Sequence, residues 1–180
     1  MPQAVTHILV PAIIIALFRD YFLKKRDKRK FPLHYVLIAA LSGIIPDLDI
    51  AAFWILYFFG FTIEQVHRTF LHTLFVPLFF LSLSIVFHSI KFKELGKHKL
   101  KLNIIFIIFA FGSFIHLLLD ALLIGKIIPF YPFSTFTIGL DLINHLPSQL
   151  ANISLPTLDG ALIIIYLIYL EYKHKISDFI

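Results

Sequence analysis

The chain has 180 residues, 59% of them hydrophobic and only 15% charged, with a mean hydropathy of +0.88. That length suits one domain, and a soluble fold of this size cannot hide an apolar fraction so far above the usual ~45–50%, so lipid must be part of the solvent. The net charge of +5 does not point to nucleic acid, because Lys and Arg cluster in short segments between apolar runs, and the lack of cysteine excludes disulfides and thiolates, leaving any metal site to His and carboxylates.

In chain order, the first apolar segment covers about 5–23, with Arg19 and Asp20 at its inner end. No basic residue precedes it and no small-residue cleavage pattern follows it, so a cleaved leader is not expected. A strongly basic connection, Lys24 through Lys30, comes next. The second segment, about 33–59, carries the run Gly43-Ile-Ile-Pro46-Asp47-Leu48-Asp49. A polar link over 62–68 leads to a third segment, about 69–90, and then to a second basic loop with Lys91, Lys93, Lys97, Lys99 and Lys101. The fourth segment is about 102–124. The proline-bearing stretch 125–156 reads as a long loop with interfacial helix or re-entrant pieces, and a fifth, short segment runs from about 158 to 172, stopping at Lys173 and Lys175. Placing both basic loops and the basic C-terminus in the cytoplasm predicts about five transmembrane segments with the N-terminus outside and the C-terminus inside. The expected architecture is all-α, a single integral-membrane helix bundle over 1–180 in the plasma membrane.

The polar residues inside these runs carry the chemistry. An Asp at the centre of a membrane helix costs roughly 2.5–3.5 kcal/mol, so each one needs something that stabilises it. Counting ~1.5 Å of rise per residue, His7, Asp47, His72, His116 and Asp120 all fall roughly 21–27 Å above the inner ends of their segments. Random polar residues would scatter in depth; a common level predicts a shared cation. His116 and Asp120, four apart, share a helix face and can grip one ion, or the carboxylate can orient the imidazole. Asp47 and Asp49 would point nearly opposite ways on a regular helix, but Pro46 loosens the preceding turn and a break there can aim both inward. Asp49 then serves as a ligand, behind a ligand, or as a general base; helix N-capping is the rival role for Asp47.

His67 and His72 are five apart, a poor spacing for one face, so His67 is expected to reach in from the outer link. Arg68 cannot ligate a metal but suits a phosphate or carboxylate; its bland alternative is an interfacial snorkelling arginine. His7 stands beside Thr6 at the outer mouth of the first segment. Asp141 with His145, and Asp159, are further polar residues on the outer side that could extend the site. His34, His88, His98 and His174 fall on the cytoplasmic side and receive no role.

The set Thr6-His7, Gly43-x-x-Pro46-Asp47-Leu48-Asp49, His67-Arg68-x-x-x-His72-Thr73-Leu74 and His116-Leu-Leu-Leu-Asp120 resembles the YdjM-like membrane-bound metal-dependent hydrolases, in order and spacing, through the first four segments. Thr69 stands where that pattern has a glycine and Leu123 where it has a threonine. The resemblance implies a divalent metal, zinc foremost, and hydrolase activity. A fainter likeness, to the zinc-dependent phospholipase C and single-strand nuclease superfamily, implies Asp120 bridging two zincs with His7 serving the second, and one to three ions in all.

The expectation is therefore a membrane-bound metal-dependent hydrolase with His7, Asp47, His67, His72, His116 and Asp120 around the metal, Asp49 as ligand or base, and Arg68 clamping an anionic headgroup. Its substrate would be a lipid or lipid-linked ester or phosphoester at the outer side of the membrane, with membrane lipids as partners. The alternatives are an ion- or proton-coupled transporter, disfavoured because the inner halves of the segments look nearly bare of polar residues, and a structural protein whose helices a metal ties together.

Overall fold

The computed structural model describes residues 4–90, 94–95 and 100–176; Lys91, Lys93, Lys97, Lys99 and His98 of the second basic loop lie outside the described residues. Helix α1, Ala4–Leu17, carries Pro11 inside it and runs on into a π-helical turn, Phe18–Phe22, making a 19-residue apolar rod long enough to cross a membrane. The basic connection forms a short helix, α2, Lys25–Lys30.

The second apolar segment is not one helix. It is α3, His34–Ser42, then a turn through Gly43–Asp47, then α4, Leu48–Leu56, extended by a 3-10 turn at Tyr57–Phe59. Pro46 has no N–H to continue the ladder. The chain leaves α4 at Gly60, whose φ of +86° is a left-handed conformation that favours glycine.

A four-residue helix, α5, Ile63–Val66, opens with a capping box in which Thr62 N–H donates to Gln65 Oε1 at 2.9 Å. The third segment becomes helical later than expected, as a 3-10 turn at Phe70–His72 and then α6, Phe75–Ser89. Helix α7, Leu102–Leu123, spans 22 residues.

The last helix, α8, Ser148–His174, is 27 residues long and begins well before the expected start near 158. Pro156, read from sequence as loop, lies inside it. Proline in an apolar transmembrane helix bends the rod without ending it, because neighbouring groups re-satisfy the freed backbone. Within 125–147 the stretch folds as a loop with one antiparallel bridge, Ile127 to Ile138, and a 3-10 turn at Leu142–His145.

Three of these helices, Ala4–Phe22, Leu102–Leu123 and Ser148–His174, are long and apolar enough to cross a membrane; Leu48–Phe59 and Phe75–Ser89 are shorter apolar helices. The molecule is an all-α membrane helix bundle. Helix α3 packs between α1 and α7, α6 lies along α7, and α8 leans on α1. Small residues allow the close approaches. Ala12, Ala16 and Val36 form the α1–α3 seam, and a Cβ at Gly112 of α7 would overlap the Ser42 side chain of α3. Tyr35, Ala39, Ile105 and Ile108 fill the α3–α7 interface, and the Tyr35 hydroxyl accepts from Lys101 N–H at 2.7 Å. Much of the remaining apolar surface, from Trp54 and Phe58 to Ile85 and Ile168, is exposed, as a lipid-facing surface would be.

The two ends of the bundle differ in charge. Where α1 and α8 finish and α3 and α7 begin stand Lys28, Lys101 and Lys173, with Lys173 Nζ 4.7 Å from the centroid of the Tyr21 ring. This end is not bare of buried polar groups, contrary to the sequence reading. Asp20 is buried and fully engaged: Arg19 Nη1 lies 2.7 Å from one oxygen, the Tyr169 hydroxyl donates to the other at 2.6 Å, and His174 Nε2 stands 3.0 Å from it. The opposite end carries the His and Asp cluster.

A candidate metal centre

Helix α7 supplies the first pair. His116 is fully buried, and its Nδ1 donates to the carbonyl of Gly43 at 2.7 Å. A carbonyl only accepts, so Nδ1 carries the proton and Nε2 presents a lone pair. That lone pair faces His72 Nε2 at 3.2 Å. His72, also fully buried, is delivered by the 3-10 turn before α6, and its Nδ1 sits 3.0 Å from Asp49 Oδ2. His72 Nδ1 therefore faces the Asp49 carboxylate and its Nε2 faces His116.

Two carboxylate oxygens complete the group. Asp47 Oδ1 lies 3.5 Å from His72 Nε2 and 3.6 Å from His116 Nε2; Asp120 Oδ2 lies 3.5 and 3.7 Å from the same two atoms. Two imidazole nitrogens and two carboxylate oxygens converge here. A divalent cation can take all four as ligands at once. A tetrahedral ion with donors at about 2.0–2.1 Å has donor–donor edges of about 3.3–3.4 Å, and the five edges here run from 3.2 to 3.7 Å. The donor set, two imidazoles and two carboxylates without thiolate, suits zinc or a neighbouring divalent metal.

His7 joins from α1. Its ring stacks on His116 with centroids 3.9 Å apart, and its Nε2 is 3.2 Å from Asp120 Oδ1. Asp120 therefore turns one oxygen to His7 and the other to His72 and His116. Two donor groups are close enough to hold an ion: His7, His116 and Asp120, and Asp47, His67 and His72.

Asp49 stands behind this group. Oδ1 is 2.9 Å from His67 Nδ1, Oδ2 accepts from the Arg68 backbone N–H at 3.1 Å, and Oδ2 also meets His72. With both oxygens taken, Asp49 orients His67 and His72. Asp47 occupies the N-cap place of α4 but makes no side-chain cap; its carboxylate turns to the histidines instead.

Local sequence explains the convergence. The turn at Pro46 swings Asp47 and Asp49 to the same side. The left-handed φ of +62° at Arg68 and the Thr69 hydroxyl, which donates to Val66 O at 2.6 Å, reverse the chain so that His67 and His72 face one another. Thr69 thus holds the turn through its hydroxyl, and the left-handed residue is its neighbour, Arg68. Gly43 lets α3 end against α1, since a Cβ there would overlap the His7 carbonyl.

Above the cluster opens a cavity of about 510 Å³, with His7, Asp47, His67, Arg68 and Asp120 among its lining residues. All seven expected metal residues and Arg68 are thereby brought together. Asp141 and His145 are not: they close a local exposed turn in which Asn144 Nδ2 donates to both Asp141 oxygens and His145 Nδ1 donates to the Asp141 carbonyl.

Asp159 does reach the site, through an intermediary. Its Oδ1 accepts from the Thr6 N–H at 2.9 Å and the Thr6 hydroxyl at 2.5 Å, capping the first turn of α1 from a helix distant in sequence. Thr6 precedes His7. Asp159→Ala is expected to weaken metal affinity about tenfold, the low end for losing a group that orients a ligand. Titration of the purified variant with zinc against a chelating indicator reads this directly; wild-type affinity would show that the Thr6 clamp does not position His7.

A family model described as YdjM inner membrane protein matches residues 1–176. No curated protein and no solved structure matches the chain, so the fainter likeness to the phospholipase C and nuclease superfamily has no counterpart among these findings.

Proposed function

Since the chain belongs to the YdjM family of inner membrane proteins, we propose that it is a membrane-embedded metal-dependent hydrolase acting on an ester or phosphoester of a lipid or lipid-linked molecule. The observation that carries this reading is the meeting of His72 Nε2, His116 Nε2, Asp47 Oδ1 and Asp120 Oδ2 within 3.2 to 3.7 Å of one another. Asp47, His72, His116 and Asp120 would hold the ion, with His7 as a further donor. A divalent metal supplies Lewis-acid polarisation and makes water acidic near neutral pH. Asp49, engaged through its Oδ1 with His67 Nδ1, leaves Nε2 as the basic atom of a residue that lines the cavity. In this reading His67 takes a proton from water and returns it to the leaving group. Asp49 is a positioning residue in this scheme.

The basic residues at the far end of the bundle support an orientation with the site toward the outer side. Lys126→Cys, exposed near the site, should be labelled by an impermeant maleimide from outside, and Lys25→Cys from the cytoplasm; the reverse pattern would invert the orientation.

The reading is tested by purifying the protein, stripping it with a chelator, restoring zinc, and measuring release from headgroup-labelled phospholipid and from an acyl ester. Turnover that appears only with restored metal, and not in His116→Ala, is the expected outcome. Metal-loaded protein that cleaves neither ester class would remove the proposal.

A further inference from the structure

We propose that the substrate is a phosphate ester carried on a hydrocarbon chain, entering from the bilayer with its phosphate on Arg68 and its chain along α4. This rests on the hydrolase reading and deepens it.

Shape comes first. The cavity, about 510 Å³, is in the range that holds a whole organic ligand and is far larger than a phosphate needs. Beyond its polar floor the walls are Ile44, Ile50, Ala51, Trp54, Ile124 and Leu155. Ala51 is exposed and Trp54 is 69% exposed, so the mouth lies on the outer face of α4, beside the exposed side chains of Leu48, Ile55 and Phe58. In a membrane protein that face meets lipid. A water-soluble ester gains nothing from such walls, whereas a hydrocarbon chain slides in without leaving an apolar solvent.

Charge comes second. Arg68 is held at a left-handed φ of +62°, an unfavourable conformation for a side chain of its size, with its backbone N–H given to Asp49. Its Nε is buried without an acceptor, and the nearest carboxylate oxygen, Asp120 Oδ2, is 3.9 Å away. The guanidinium lines the cavity beside the cluster with a donor to spare. A planar fork of donors suits a phosphate, which takes two of them at once; an acyl ester is neutral and offers it little. In hydrolysis, a water oxygen bonds to phosphorus, the P–O bond to the leaving alcohol breaks, and the water proton ends on the leaving oxygen, carried by His67. No redox partner is needed.

Trp54 is the one tryptophan in the chain, so its fluorescence reports this wall alone. The experiment titrates metal-loaded protein with 8-bromooctylphosphonate, a non-hydrolysable probe whose bromine quenches a nearby indole, and competes it with octylphosphonate, ethylphosphonate and octanol. Saturable quenching is expected, with octylphosphonate competing at least tenfold better than either of the others. Arg68→Ala should cost at least tenfold in phosphonate affinity and leave octanol unchanged. Ala51→Phe, which fills the chain path from an exposed position, should erase the advantage of the octyl chain over the ethyl chain. Octanol competing as well as octylphosphonate would overturn the phosphate assignment, and ethylphosphonate competing as well would overturn the chain assignment. Hydrolysis is followed on the same samples. Tight octylphosphonate binding without any turnover refutes the hydrolase reading and upholds the docking; turnover of an acyl ester with no competition by octylphosphonate does the reverse.

Discussion

His116→Ala is expected to leave the purified protein without bound metal. The substitution removes one of four converging donor atoms and also orphans the Gly43 carbonyl, which accepts from His116 Nδ1 in the interior. Losing a group that only orients a ligand weakens metal affinity about 10–100-fold, so losing the ligand itself should cost at least about a hundredfold. Metal analysis of wild type, His116→Ala, Asp120→Ala and, as control, His145→Ala measures this; the control lies in an exposed local turn and should keep its metal. A thermal melt gives a second readout. An ion present at a hundred times its dissociation constant stabilises the folded state by about 2.7 kcal/mol, a gain the two site variants should not show on adding zinc. Unchanged metal content in His116→Ala and Asp120→Ala would mean that the ion sits elsewhere. A wild type that takes up none would make the cluster a network of shared protons.

The second large effect is expected from one methyl group. Gly43→Ala puts a Cβ onto the His7 carbonyl oxygen, 2.9 Å from the carbonyl carbon and 3.0 Å from Pro11 Cγ. These neighbours are backbone and a proline ring, which cannot rotate aside. Overpacking in a filled core typically costs about 1–3 kcal/mol, and the rigidity of the neighbours puts this case at the upper end. The damage also concentrates at the site, because moving α1 off α3 displaces His7 and shifts the Gly43 carbonyl from His116. A lowered melting temperature together with lost metal is the expected result. Gly160→Ala is the matched control: a Cβ there meets nothing within 4 Å, and alanine in a helix interior is favoured over glycine by about 1 kcal/mol. Equal melting temperatures for the two variants would show that the α1–α3 approach is not as tight as the geometry makes it.

The common level of His7, Asp47, His72, His116 and Asp120 was legible in the sequence because helical rise is constant and a carboxylate in lipid must find a partner. The break at Pro46 was legible for a similar local reason: a missing N–H is written in the residue type. Three features were not. The Gly43 carbonyl that fixes the His116 tautomer is backbone, which leaves no trace in residue identity. The Asp159–Thr6 clamp joins residues 153 positions apart, each with an ordinary local explanation; the one hint was a carboxylate near the start of an apolar run. Asp20 looked like an inner-end charge beside Arg19, and only folding brings Tyr169 and His174 onto it. That carboxylate is saturated by its partners, so it does not extend a polar path inward from the cluster, as a carrier would require.

Helix α8 has Leu155 as its one buried side chain among the described residues, and it is tied to the first membrane rod near its middle by Asp159 and at its C-terminal end by Tyr169 and His174. At about 1.5 Å per residue its length is about 40 Å, beyond a hydrocarbon layer of about 30 Å, and its ends are polar, with Ser148 and Gln149 at one and Glu171 and Lys173 at the other. Both ties lie on the C-terminal side of Leu155, which stands on the cavity wall one turn before Asp159. The wall that Leu155 gives the cavity is therefore carried by a stretch of α8 that lies before both ties, so bilayer thickness is a quantity to hold fixed whenever binding to this cavity is measured.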